Sequence, residues 1–267
     1  MQNSKIEWTD HTFNARWGCV NISPACDHCY AERFANRRTR TRDPLWGKDA
    51  GRLISNDDYW AAPRQWDRRA RLRGIQQRVF CGSMCDVMER REDLTAPRRR
   101  LFQLMEDTPN LVWMLLTKRP QELRNFLPEE WLNIPRPTFW LLTTMEHQDY
   151  VWRIEELLKA PAIVHGISME SLLGPITLPK GFLESGKRAW VITGGESGPG
   201  ARPTRIEWVR EVRDAAVAAG VPFHFKQWGE HGANLIKIGK KQAGRILDGR
   251  EWDELPLGAW EQEANLI

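Results

Sequence analysis

The chain has 267 residues, 41% of them hydrophobic and 28% charged, with a formal net charge of +4. That length supports one large domain or two small ones with a sizeable core, and the balance is ordinary for a globular protein. No apolar run approaches a membrane span, the first residues lack the apolar segment of a signal peptide, and five cysteines weighted toward the N-terminal third argue against a secreted disulfide framework, so a cytoplasmic protein is expected.

Residues 1–18 hold a predicted first strand around Thr12-Phe13-Asn14-Ala15-Arg16-Trp17, and Gly18 permits a sharp turn after it. Cys19, Cys26 and Cys29 follow, separated by six residues and then two, so one short loop can aim three thiolates at one point. Zinc and an iron–sulfur cluster are the two readings of such a set. Zinc needs a fourth ligand, and neither a second Cys-x-x-Cys nor a His-x3-His or His-x4-His spacing supplies one. A helix is predicted from Tyr30 to about Thr41, which sets Cys29 at a helix start, where the dipole favours thiolate charge.

From Asp43 to Gly74 the text is rich in Trp, Arg, Asp, Gly and Pro without a clean period, and it reads as an irregular, substrate-facing insertion. Arginines crowd the region from Arg33 to Arg100, among them Arg40, Arg42, Arg64, Arg68, Arg69 and Arg71. Guanidinium forks suit phosphates, and Trp60 and Trp66 within the stretch could stack on exposed bases, which points to nucleic acid; a solvated helical surface is the other reading.

A regular alternation comes next. Apolar runs at 78–81, 111–116, 138–142, 162–167, 189–193 and 221–225 are continuous in hydrophobicity, as parallel strands covered on both faces should be. Helical stretches at 94–107, 121–126, 147–158 and 206–219 lie between them. The expected fold is α/β, a parallel partial (β/α) TIM-like barrel over 1–228, with a small C-terminal extension or cap over 229–267. In such a sheet the working residues belong at the C-terminal strand ends. Gly82, Ser83, Cys85 and Asp86, Thr117 to Arg119, Thr143, Thr144 and Glu146, Ser168 and Glu170, Gly194, Gly195 and Glu196, and Lys226 and Gln227 all fall there.

The phrases Cys81-Gly82-Ser83-Met84-Cys85-Asp86, Leu115-Leu116-Thr117-Lys118-Arg119-Pro120, Gly194 to Pro203, Phe225-Lys226-Gln227-Trp228-Gly229 and Gly239 to Arg245, downstream of the cysteine loop, carry a family resemblance. In this order the chain resembles the phage-associated three-Cys-motif family of the radical S-adenosylmethionine (SAM) superfamily over nearly its whole length. The superfamily's commonest cysteine spacing is three and then two, so the gap of six here matches a variant branch.

The resemblance implies a barrel of the radical SAM type and a [4Fe–4S] cluster on Cys19, Cys26 and Cys29 with one free iron for SAM. It implies SAM contacts from His28, Gly82, Ser83, Lys118 (or Arg119), Thr144, Glu146, Ser168, Glu170, Gly194, Gly195 and Glu196. Cys85 and Lys226 are the candidate catalytic residues, with Cys85 a candidate hydrogen donor and Cys81 an inert buried thiol. The implied reaction is cleavage of SAM to a 5′-deoxyadenosyl radical that modifies or rearranges a substrate, as an isomerase, lyase or base-modifying enzyme fed by an external electron donor. The substrate expected is a (hyper)modified thymine in phage DNA, gripped by Arg64, Arg68, Arg69 and Arg71 in the cytoplasm of an infected host. A nucleic-acid- or partner-binding protein with a structural metal and no SAM cleavage is the alternative, and radical chemistry on a peptide or small metabolite is a third. The sequence does not fix the oligomeric state.

Overall fold

The computed structural model of the protein describes residues 2–38 and 43–256. Its elements run β1 (His11–Phe13), β2 (Arg16–Trp17), α1 (Tyr30–Arg38), β3 (Leu53–Ile54), α2 (Asp57–Arg73), β4 (Gln77–Cys81), α3 (Thr95–Glu106) and β5 (Leu111–Thr117). Then come α4 (Leu123–Phe126), α5 (Glu129–Asn133), β6 (Phe139–Thr144), α6 (Trp152–Leu158), β7 (Val164–Glu170), α7 (Lys180–Leu183), β8 (Ala189–Gly194), α8 (Ile206–Ala218), β9 (Phe223–Gln227) and α9 (Lys240–Ala243). A seven-stranded sheet has the order β1-β4-β5-β6-β7-β8-β9, so sheet neighbours follow chain order, as in a (β/α) barrel. The fold is α/β, with the parallel sheet of a partial barrel. No helix among the described residues is long and apolar enough to cross a membrane.

The chain forms two compact units. One contains Met1–Ile22, Ala31–Leu141 and Ala160–Ile163; the other contains Ser23–Tyr30, Leu142–Lys159 and Val164–Ile267. In the first, β1 and β5 flank β4 in parallel, with His11 opposite Val79 and Gln77 opposite Leu111. Phe13 lies edge-on to Trp113 at 5.6 Å, and Val79, Trp113, Leu101 and Leu104 are fully buried or nearly so. The short β2 and β3 pair antiparallel outside that sheet, Arg16 opposite Ile54.

In the second unit β8 lies between β7 and β9, parallel to both, with a register shift at Thr193/Gly194. Ile167, Val191, Phe223 and Phe225 pack in one core with Val209, Val212 and Ala216 of α8. The exposed edge of β9 is closed by the chain's own later residues. The Trp252 carbonyl accepts from the Phe225 amide at 2.9 Å, and the Glu254 amide donates to Phe223 at 3.3 Å. Covering an edge in this way removes a template for unwanted strand pairing.

The segment expected to be an irregular insertion over 43–74 is instead largely the 17-residue α2. Asn56 caps it by accepting from the Tyr59 amide at 3.0 Å, Asp57 and Asp58 sit in its first turn, and Gly74 ends it in the left-handed conformation at φ 63°. Its buried stripe is Trp60, Pro63, Trp66 and Ala70, a helical spacing hidden in the sequence by the arginines between them. Trp60 and Trp66 are therefore core residues, not base-stacking platforms: Trp60 meets Phe13 edge-on and Trp66 stacks on His11 at 4.3 Å. The helix expected to reach Thr41 is described as far as Arg38; the remainder, with Arg40 and Arg42, lies outside the described residues, as do residues 257–267 of the expected C-terminal extension.

Candidate functional site

The strand ends of the first unit gather around Asp86. Gly18, at φ +114°, turns the chain after β2, and a Cβ there would stand 2.5 Å from the Leu45 carbonyl oxygen. Only a glycine fits so close a passage. Cys19 follows, its amide donating to Leu45 at 3.3 Å. Arg119, just beyond β5, donates to Asp86 Oδ2 at 2.8 Å and to the Val20 carbonyl at 3.2 Å, and its Nη1 lies 3.9 Å from Cys19 Sγ. Asp86 also accepts from Thr117 Oγ1 at 2.7 Å and from the amides of Lys118 and Met88.

Burial alone would raise the Asp86 carboxyl, but Arg119 and these hydrogen bonds outweigh it and hold Asp86 below the ordinary carboxylate range. Burial pushes the Cys19 thiol up to about 12, reinforced by the Asp86 charge and opposed by Arg119. Arg16 ties the same corner together, donating to Gly18 O at 2.7 Å and to Asp86 O, and pairing with Glu89 at 3.1 Å.

Gly82 has φ +93°, and Ser83 Oγ accepts from Asn14 Nδ2 at 2.9 Å. Cys81 and Cys85 are buried, and desolvation raises both thiols above their ordinary value, so each is a neutral thiol at neutral pH. The backbone of Cys85 bridges to Gly18, which sets this candidate hydrogen donor beside the turn that opens the cysteine loop.

In the second unit three glutamates mark successive strand ends, each with a cation. Glu146, after β6, pairs with Arg153 at 3.0 Å with both side chains 1% exposed, and Arg153 also donates to Thr144 Oγ1 at 3.2 Å. Glu146 Oε1 has no hydrogen-bond partner among the described residues, which leaves a buried acceptor for another donor. Glu170, ending β7, pairs with Lys226 of β9 and accepts from Ser168 at 3.3 Å.

Glu196, after β8, accepts from Ser171 Oγ at 3.0 Å and from the Arg202 amide at 2.8 Å, pairs with the Arg202 guanidinium, and lies 3.1 Å from His28 Nδ1. Burial raises the Glu196 carboxyl, but the bonds from Arg202, His28 and Ser171 dominate and hold it at about 2. Gly194 and Gly195 answer to the chain itself: a Cβ on Gly195 would stand 2.0 Å from the Trp228 carbonyl oxygen.

Cys26 and Cys29 lie on the segment assigned to this second unit. Cys26 is buried at the end of the single helical turn Pro24–Cys26, and Cys29 directly precedes α1. None of the five cysteines is in a disulfide. Among the described residues no group of three His, Cys, Asp or Glu side chains is gathered for one metal ion.

The four candidate phosphate-gripping residues, Arg64, Arg68, Arg69 and Arg71, are exposed on α2; Arg64 pairs with Asp107 at 2.7 Å and Arg69 Nε donates to Gln65 O. Sequence reasoning passed over Asn14, Arg16, Arg153, Ser171 and Arg202. Arg202 carried one usable signal: it lies in the same glycine-rich phrase as Glu196 and Gly200.

The fold and the polar strand ends define a parallel α/β protein of the (β/α)-barrel class. A family model described as "Protein of unknown function (DUF5131)" matches residues 3–256, and the chain belongs to that family. No curated protein matches it. Among solved structures it is similar to spore photoproduct lyase complexed with dinucleoside spore photoproduct, at 10% identity and a TM-score of 0.47 over 79% of this chain and 75% of that one. A mutant of that lyase with the same dinucleoside compound is similar at 11% identity and a TM-score of 0.45, with the same coverage.

Proposed function

We propose that the chain is a radical SAM enzyme of the phage-associated three-Cys-motif family that modifies or rearranges a (hyper)modified thymine base in phage DNA. The observation that carries the reading is the set of three cysteines outside any disulfide, Cys19, Cys26 and Cys29, within eleven residues of the loop that follows β1 and β2. Thiolates are the usual protein ligands of a [4Fe–4S] cluster and no disulfide consumes these three, although among the described residues no three such side chains are gathered for one metal ion. Held by Cys19, Cys26 and Cys29, such a cluster would supply the electron for reductive cleavage of bound SAM.

The chain's own residues bind, orient and screen. Arg119, fixed by Asp86, sets a cation beside Cys19 and offsets the charge a thiolate would bring into a desolvated place. Glu146 presents an unpaired acceptor suited to a hydroxyl donor, while Glu170 and Glu196, each already held by a cation and a serine hydroxyl, set carboxylates at the next two strand ends. Arg64, Arg68 and Arg71, spaced four and three along α2, share a solvent face that suits a phosphate backbone. Electrons come from an external donor in the cytoplasm of the infected host.

Anaerobic reconstitution with iron and sulfide tests the reading. The expected result is a visible cluster absorbance and formation of 5′-deoxyadenosine from SAM with reductant. Tight metal binding without 5′-deoxyadenosine, and DNA affinity indifferent to SAM, would instead support a structural-metal binding protein.

A further inference from the structure

Two polar groups on the turn that carries Cys26 are held by one side chain distant from it in sequence. Arg202 Nη2 donates to the Pro24 carbonyl at 2.7 Å and Nη1 to Asp27 Oδ2 at 3.3 Å, so its fork holds both ends of the turn that carries Cys26. The Pro24 carbonyl also accepts from the Asp27 amide at 3.2 Å, and the Cys29 amide donates to the Cys26 carbonyl at 3.2 Å. Fixing Pro24 and Asp27 therefore fixes the main chain leading to both thiols. Arg202 is itself fixed: Glu196 accepts from its amide at 2.8 Å and from its Nε at 3.1 Å. Gly200, at φ +77°, lets the same segment lie against the His28 ring, where a Cβ would stand 2.9 Å from Nε2.

We propose that Arg202 is a positioning residue for metal capture: clamped by Glu196, it holds the Pro24–Asp27 turn so that Cys26 and Cys29 are preset to take one soft metal ion together. The inference rests on the reading that the cysteine loop binds metal. Arginine suits the task because one planar fork serves a carboxylate, a carbonyl and a second carboxylate at once; a lysine ammonium, a single point charge on a flexible stem, does not.

The test is anaerobic titration of the full chain with Cd2+, read by thiolate-to-metal absorbance, with thermal melts of each variant alongside. Groups that orient metal ligands typically change affinity by about 10- to 100-fold. The expected result is at least a tenfold weaker Cd2+ affinity for Arg202→Ala and only partial recovery in Arg202→Lys. Glu196→Gln, which keeps the side-chain shape and removes the charge clamping Arg202, is expected to weaken binding as well and decides the matter if Arg202→Ala does not fold. Wild-type affinity in folded Arg202→Ala or in Glu196→Gln overturns the proposal, as does absence of Cd2+ binding by the wild type. Absence of 5′-deoxyadenosine from the reconstituted wild type removes the enzymatic reading alone and leaves the Cd2+ comparison standing.

Discussion

Arg119 and Asp86 form an ion pair at 2.8 Å with side chains only 10% and 6% exposed, and the same guanidinium reaches the sulfur of Cys19. Breaking a buried pair from one side leaves an uncompensated charge, typically at a cost of about 3–5 kcal/mol. Asp86→Ala is therefore expected to lose stability in that range by urea denaturation. Asp86→Leu combined with Arg119→Met should lose clearly less than the two single changes added together. Additive losses would mean that the two groups are not coupled.

A second expectation concerns acid. Glu196 has its folded pKa held at about 2, below the ordinary carboxylate value, by Arg202, His28 and Ser171 acting against burial. A depressed carboxylate stabilises the fold fully above its unfolded pKa and loses that contribution as pH falls toward the folded one. The stability advantage of the wild type over Glu196→Gln should thus hold at neutral pH and shrink between roughly pH 4.5 and 2. Thermal melts of both proteins across that window measure it, and a constant difference would contradict the depressed pKa.

The strands were legible because burial on both faces leaves continuous apolar runs. The runs at 78–81, 111–116 and 189–193 fall within one residue of β4, β5 and β8 at each end. Helix α2 was not legible as a helix: its four buried positions are separated by alanines, arginines, one glutamine and one aspartate, and one of the four is Pro63. The polar strand ends could be found from the alternation alone, since chains leave the core there. What each polar residue pairs with could not, because Arg153 reads as an ordinary helix-surface residue until Glu146 is found 3.0 Å away. The spacing of the cysteines likewise says that they share a loop, not where their sulfurs point.

Helix α2 allows the core role of the basic segment to be separated from its proposed nucleic-acid role. Trp60 is 1% exposed against Phe13, so Trp60→Ala should cost about 3–5 kcal/mol by denaturant unfolding. Arg68→Ala and Arg71→Ala, on the exposed face, should change stability by less than about 0.5 kcal/mol. If that face grips phosphates, each arginine removed should also lower the slope of log affinity for DNA against log salt by about one unit. An unchanged slope in the folded double variant would take the nucleic-acid role away from α2.

The close passage between the segment after β8 and the segment after β9 gives the sharpest stability contrast. The Gly195 amide donates to the Gln227 carbonyl at 2.9 Å and the Glu230 amide to the Glu196 carbonyl at 2.8 Å, which draws the two backbones together. A Cβ on Gly195 would stand 2.0 Å from the Trp228 carbonyl oxygen and 2.8 Å from its carbon, both rigid main-chain atoms. Gly195→Ala must therefore push the segments apart and strain the bonds on either side, at an expected cost of about 3 kcal/mol. A methyl group on Gly181, in α7, would meet no atom within 4 Å, so Gly181→Ala should be neutral or stabilising by up to about 1 kcal/mol through helix propensity. Thermal melts of the two variants side by side decide it: equal melting temperatures would show that the strand-end segments separate freely, and that Gly194-Gly195-Glu196 is not held by its own backbone neighbours.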